Sequence, residues 1–103
     1  MSKPAFTPGP WRVAGERDYR TLAFGVFELE HNWRIADVRA TNEKIGQANA
    51  TLIAAAPDMY EALKNIVTRF ENCCRASGND AEWVADATKM HRAALAKAEG
   101  RTP

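Results

Sequence analysis

The feature that most constrains this chain is a helical apolar stripe with a proline set into it. Across residues 49–70, NATLIAAAPDMYEALKNIVTRF, the side chains of Leu52, Ala56, Met59, Leu63, Ile66 and Phe70 recur at spacings of 4, 3, 4, 3 and 4. Ile53, Tyr60 and Val67 widen the stripe on one side. An apolar face this regular calls for a covering layer, and the layer expected is a small sheet made from the first 40 residues. Pro57 removes one helical hydrogen bond and collides with the preceding turn, yet the stripe keeps its phase across it. Two readings satisfy both facts. Either a first helix ends near Ala55 and a second begins with Pro57 at its first position and runs to about Arg75, or one helix kinks at the proline.

The residues ahead of the stripe carry strand patterns. Residues 1–10, with Pro4, Pro8, Gly9 and Pro10, form an extended lead-in. Residues 11–14 alternate as a short strand, and residues 15–18 read as a turn. A second strand is expected over residues 19–30, with Leu22, Phe24 and Val26 on one face. Phe27 and Leu29 continue the apolar role with opposite parity, which places a β-bulge at Gly25. His31 and Asn32 then make a two-residue turn into a third strand, residues 33–40, where Trp33 and Ile35 differ in parity from Ala36 and Val38. Thr41 and Asn42 cap the first helix, with Glu43 in its first turn. Gly78 stops the helix before it, Asn79 and Glu82 have capping-box spacing, and Trp83, Val84, Ala87, Met90, Ala94, Leu95 and Ala98 mark the buried face of the last helix. The expected fold is α+β in a single domain over residues 1–103. It has an N-terminal three-stranded antiparallel sheet (residues 11–40), covered on one face by two or three C-terminal helices (residues 42–99), with residues 100–103 as a tail.

Charge and residue inventory narrow the chemistry. A net charge of +1 over 103 residues argues against a general polyanion binder but leaves room for a local arginine cluster. The apolar runs are too short to span a bilayer and the N-terminus does not open like a signal peptide, so a cytoplasmic setting is expected. Cys73 and Cys74 are adjacent, which suits neither a zinc site nor any other convergent ligand set; on a helix they point about 100° apart, one inward and one outward. Ser2 and Ser77 lack a nucleophile-elbow context, His31 falls in a turn, and His91 edges the last helix. Glu28, Glu30 and Asp37 come close in the hairpin, but Glu28 and Glu30 share the face expected to be solvated. No phosphate-binding loop, dinucleotide fingerprint or calcium loop is present. The expectation is a protein that is not an enzyme and uses no cofactor or metal.

Binding is better supported. Arg12, Arg34 and Arg39 lie on strands, Arg17 and Arg20 at a turn, and Trp11, Tyr19 and Trp33 interleave with them. Guanidinium planes beside aromatic faces suit phosphates and stacked bases. The competing reading pairs these arginines with Glu16, Asp18 and Asp37 while the aromatics cover the helices. Asn49, polar on an otherwise apolar helix, either bonds to the sheet or the preceding loop, or touches a ligand. Ala50, Ala54, Ala55 and Ala56 allow close approach of the sheet or of a second subunit, and exposed sheet edges favour a homodimer or higher homo-oligomer.

Two segments carry a resemblance: Thr7-Pro8-Gly9-Pro10-Trp11, and Asn49-Ala50-x-Leu52-Ile53-Ala54-Ala55-Ala56-Pro57-Asp58 leading into Tyr60-Glu61-Ala62-Leu63. With the C-terminal Arg92-Ala93-Ala94-Leu95-Ala96-Lys97-Ala98-Glu99-Gly100, the chain resembles, from end to end, small bacteriophage and prophage proteins. A weaker likeness extends to the Ead/Ea22-like phage proteins. The resemblance implies an accessory gene expressed in the bacterial cytoplasm and acting on host machinery or host defence. The implied partner is a host protein or a small phosphate-bearing nucleotide, with nucleic acid as the second choice.

Overall fold

A computed structural model describes residues 5–15, 17–40 and 42–101. The expectations for Ser2, Pro4, Glu16, Thr41 and the last two residues fall outside that range. In order, the elements are β1 (Trp11–Val13), β2 (Ala23–Glu28), β3 (Arg34–Arg39), α1 (Glu43–Ala54), α2 (Ala56–Ala76), α3 (Ala81–Ala87) and α4 (Lys89–Ala98). The strands form one antiparallel sheet in the order β1-β2-β3, so the α+β architecture read from the sequence is present. Four helical segments follow the sheet, because the last expected helix divides at Thr88. The chain separates into two compact units, Met1–Asp58 and Met59–Pro103.

In the first unit α1 packs on one face of the sheet. Phe24, Val26, Val38 and Ala50 form its core, with Trp11, Val13, Ile35, Ala36 and Ala54 packed around them. Small residues set the distance: a Cβ added to Gly46 would lie 3.3 Å from the Phe24 ring, and Ala50 is fully buried. Asn42 caps α1, its side-chain oxygen accepting from the N–H of Lys44 at 2.8 Å and of Ile45 at 3.3 Å. Ala55 alone separates α1 from α2, in an αR conformation, and α2 begins one residue before Pro57. Gly9 of the lead-in lies directly against that proline; a Cβ on it would come within 2.9 Å of the Pro57 ring. The two segments that carry the phage resemblance therefore touch.

The strands depart from expectation in four ways. Residues 19–22 are a turn rather than the start of β2, since the Asp18 carboxylate accepts from the Arg20 N–H at 2.8 Å and offers the backbone an alternative to a ladder. Leu22 sits in that turn at φ +57° and is exposed, so only Phe24 and Val26 of the expected row are buried. The bulge is on β3, not at Gly25: Val26 pairs with Ala36 and Phe27 with Arg34, which leaves Ile35 extra, and Ile35 and Ala36 both reach the core. The hairpin loop spans residues 29–32, closed by the Glu28 N–H to the Trp33 carbonyl at 2.8 Å. Glu28 is only 5% exposed, where a solvated strand face was expected. Its carboxylate accepts from the N–H groups of Glu30 at 2.8 Å and His31 at 2.6 Å. Burial pushes the Glu28 pKa up, but the His31 and Glu30 amides and the nearby His31 ring outweigh it and hold the group below its ordinary 4.5.

The second unit holds α2 from Met59 onward with α3 and α4. Tyr60, Val67, Cys74 and Val84 are buried, together with the polar Glu71 and Thr88. Buried Glu71 accepts from Arg92 Nε at 2.7 Å and also from Arg92 Nη2, which ties α2 to α4. The Tyr60 hydroxyl donates to Glu99 Oε2 at 2.5 Å, and Glu99 also takes Arg101. That hydrogen bond to Glu99, with burial and the Glu99 charge added, pushes the Tyr60 pKa up to about 12. The same hydrogen bond and the one from Arg101 lower that of Glu99. Cys74 points inward and Cys73 outward, as their spacing requires. The cap of α3 is Asp80 rather than Asn79, which instead donates to the Cys74 carbonyl at 3.2 Å and helps close α2. Thr88 turns its hydroxyl back to the Val84 carbonyl at 3.0 Å and lies 3.4 Å from Glu71 Oε2, where α3 gives way to α4.

The widened side of the apolar stripe, at Tyr60 and Val67, is buried as expected, but its central line needs correction. Leu52, Met59 and Ile66 are more than half exposed, while the buried line runs through Gly46, Ala50, Tyr60, Val67 and Cys74. Tyr60 and Val67 stand one position beyond Met59 and Ile66, a turn of about 100° around the helix. Close approach at Gly46 and Ala50, together with the Tyr60 and Glu71 hydrogen bonds, decides the rotation; the bulkiest side chains do not.

Candidate functional site

Pairing register sorts the sheet residues by face, because directly opposed residues point to the same side. Phe24, Val26, Ala36 and Val38 face α1. Arg12 is opposed to Phe27, Phe27 to Arg34, Gly25 to Asp37 and Ala23 to Arg39. The face turned away from α1 thus carries Arg12 from β1, Phe27 from β2, and Arg34, Asp37 and Arg39 from β3. Its centre is Phe27. The guanidinium carbon of Arg12 lies 4.8 Å from the ring centroid and that of Arg34 lies 4.9 Å from it, so one aromatic ring seats two cations.

Gly25 makes the seat. Two residues before Phe27 on the same face, it leaves room for the ring to lie across the strand; a Cβ there would be 2.6 Å from Phe27 Cε2 and 3.2 Å from Arg34 Nη1. Each arginine is also held from the side. Arg12 Nη2 donates to Asn32 Oδ1, whose residue takes the left-handed position of the hairpin loop at φ +58°, and Arg34 Nη1 donates to Asp37 Oδ1. Three guanidinium groups against two carboxylates, Asp37 and the Asp18 opposed to Ala23, leave the face with a net positive charge. The two on Phe27 lie within about 10 Å of each other, a span suited to one phosphate or to two consecutive ones.

Of the residues singled out from sequence, Arg12 and Arg34 come together and Arg39 shares their face at the Ala23 end of the sheet. Trp11 is on the opposite face, packed at the edge of the core with its indole N–H donating to the Thr7 carbonyl at 3.2 Å. Asn49 is exposed on α1, beside buried Ala50. Trp33 stacks on His31, centroids 4.2 Å apart, at the hairpin end, and Tyr19 is exposed at the turn. Sequence reasoning missed Phe27 as the seat of the arginines. The signal was available: its parity is opposite to that of Phe24 and Val26, and a glycine precedes it by two.

Glu28, Glu30 and His31 offer ligand atoms within 4.8 Å of one another. Both Glu28 oxygens are already taken by hairpin amides, so this group reads as a loop cap. No helix among the described residues is long and apolar enough to cross a membrane.

Fold and face together describe a small α+β protein with an arginine-bearing open sheet. The family model described as Salmonella phage P22 protein Y8K6 matches residues 1–102. The chain belongs to that family of phage proteins. Comparison with curated proteins and with solved structures found no match.

Proposed function

We propose that the protein is a non-enzymatic accessory protein of a phage or prophage. It acts in the host cytoplasm by binding a phosphate-bearing nucleotide ligand on the sheet face around Phe27, and its use is counter-defence. The observation that carries this reading is the pair of guanidinium groups on one aromatic ring, with Arg39 on the same face. Planar cations pair with phosphate oxygens in bidentate fashion, and the Phe27 ring beneath them holds the Arg12 and Arg34 guanidinium groups on one face. The non-enzymatic part draws support from the groups with displaced pKa values. Glu28 caps a hairpin, and Tyr60 and Glu99 bond to each other across the second unit. Each has a structural partner that accounts for it. The counter-defence use rests on the phage family and on the implication of its resemblance, and a host protein with an acidic surface is the alternative target.

The test is calorimetric titration of the full chain with a short 5′-phosphorylated dinucleotide and with a single-stranded oligonucleotide, at about 50 and about 200 mM salt. Binding of the dinucleotide that weakens at least about tenfold in Arg34→Glu, with the fold retained, supports the proposal. The fold should hold because the Arg34–Asp37 pair and the Arg34 contact with Phe27 are both at the surface and worth about 1 kcal/mol each. Binding of the oligonucleotide alone, falling by orders of magnitude with salt, assigns the face to nucleic acid. No binding in either arm, or binding indifferent to Arg34→Glu, overturns the reading and leaves pull-down from host lysate to test the host-protein target.

A further inference from the structure

In the second unit a recess of about 360 Å³ opens between α2 and the α3–α4 pair, a volume within the range of small-molecule pockets. Its lining is divided by chemistry. Helix α3 contributes apolar groups alone, Ala81, Val84 and Ala85, while α2 and α4 contribute Arg75 and Arg92 with one carboxylate, Glu71. The acidic residues of α3, Glu82 and Asp86, and its cap Asp80 do not line the recess. The charges that do are unequally satisfied. Glu71 is 8% exposed, and its Oε2 accepts from Arg92 Nε at 2.7 Å and from Arg92 Nη2, so its charge is offset in place. Arg92 Nη1 is left without a partner among the described residues. Arg75 makes no ion pair among them either, and its guanidinium holds one long hydrogen bond, to Asn72 Oδ1 at 3.4 Å.

We infer that this recess binds a small amphipathic carboxylate, a monoanion with a short apolar body. Its carboxylate pairs with Arg75 and with the free edge of Arg92, planar donor forks that match two oxygens, and its body lies on Ala81, Val84 and Ala85. Charge and surface both select this class. Two cations against one carboxylate leave the recess at +1, which a monoanion balances. An inorganic anion would satisfy the arginines but bury none of the apolar wall, and a neutral apolar molecule would cover the wall and leave Arg75 unpaired. The site belongs to the second unit and does not depend on a ligand at the Phe27 face.

Amide chemical shifts of the full chain, titrated with hexanoate, with its neutral isostere hexanamide and with inorganic phosphate, decide the matter. Hexanoate should bind saturably, with Kd on the order of 1 mM, and shift Arg75, Asn79, Val84 and Ala85. Hexanamide and phosphate should each bind at least about tenfold more weakly. Arg75→Gln should weaken hexanoate at least about tenfold, whereas Arg69→Gln, the same change of charge on the same helix but outside the recess, should leave it unchanged. Ala85→Leu alters an exposed position of α3, fills the recess without changing its charge, and should abolish saturation while helical circular dichroism is retained. Absence of a saturable hexanoate shift overturns the inference, as does hexanamide or phosphate binding as tightly as hexanoate. So does hexanoate binding that Arg75→Gln or Ala85→Leu leaves intact, or that Arg69→Gln weakens equally.

Discussion

Three residues show how local chemistry sets this structure. Leu22 holds φ at +57°, a conformation that costs a branched L-residue about 1–2 kcal/mol, and its side chain is half exposed and contributes little burial. Leu22→Gly should therefore stabilise the first unit by about 0.5–1 kcal/mol, after allowing for the extra freedom of glycine in the unfolded chain; denaturant titration measures it. Gly25→Ala should do the opposite. The new methyl group meets the Phe27 ring at 2.6 Å, so the ring must swing away and take the Arg12 and Arg34 contacts with it. Ligand affinity should fall along with stability. Tyr60 works through its hydrogen bond to Glu99. Because the folded Tyr60 pKa lies near 12, above the ordinary 10, its contribution is complete below pH 10 and is lost as pH rises toward 12. Tyr60→Phe should lower the melting temperature by about 5 °C at neutral pH and remove that alkaline limb.

At the scale of elements, α1 on the sheet is the most sensitive contact. Gly46→Leu places a bulky chain where even a methyl group sits 3.3 Å from Phe24, and should cost about 1–3 kcal/mol or lift α1 off the sheet. The hairpin depends on Glu28 in a pH-dependent way. Its folded pKa is lowered, so its contribution is present above the ordinary carboxylate value and lost as pH falls through the lowered one. Glu28→Gln should lower the protection of the Glu30 and His31 amides against hydrogen exchange at neutral pH, and that protection, taken relative to the intrinsic rate at each pH, should no longer fall on acidification. Much of this level was legible in the sequence. The three strands, the Phe24 and Val26 alternation, the Asn42 cap and the Gly78 stop appear where local rules put them. The bulge was mislocated because two apolar residues of opposite parity on β2 suggested a slip there. Phe27 instead serves the other face, and the real slip is the Ile35 and Ala36 parity change on β3.

For the whole molecule, periodicity located the helices but not the direction in which they turn. The stripe through Leu52, Met59 and Ile66 is the most hydrophobic line available, yet the line next to it is the buried one. Rotation is set by small residues at the sheet and by the Tyr60–Glu99 and Glu71–Arg92 pairs, which lie 39 and 21 residues apart in sequence and leave no periodic trace. The candidate face was half legible for a related reason. Arginines on strands can be counted, but which of them share a face depends on a register that the bulge alters. The displaced stripe leaves Met59 and Ile66 exposed on the second unit.

The most direct measurement is a residue-by-residue map of amide chemical shifts on addition of a 5′-phosphorylated dinucleotide. Perturbations concentrated at Arg12, Gly25, Phe27, Arg34 and Arg39, and absent in Arg12→Glu with Arg34→Glu, are the predicted result. Shifts confined to the second unit, or a spectrum that does not change at all, would contradict the account.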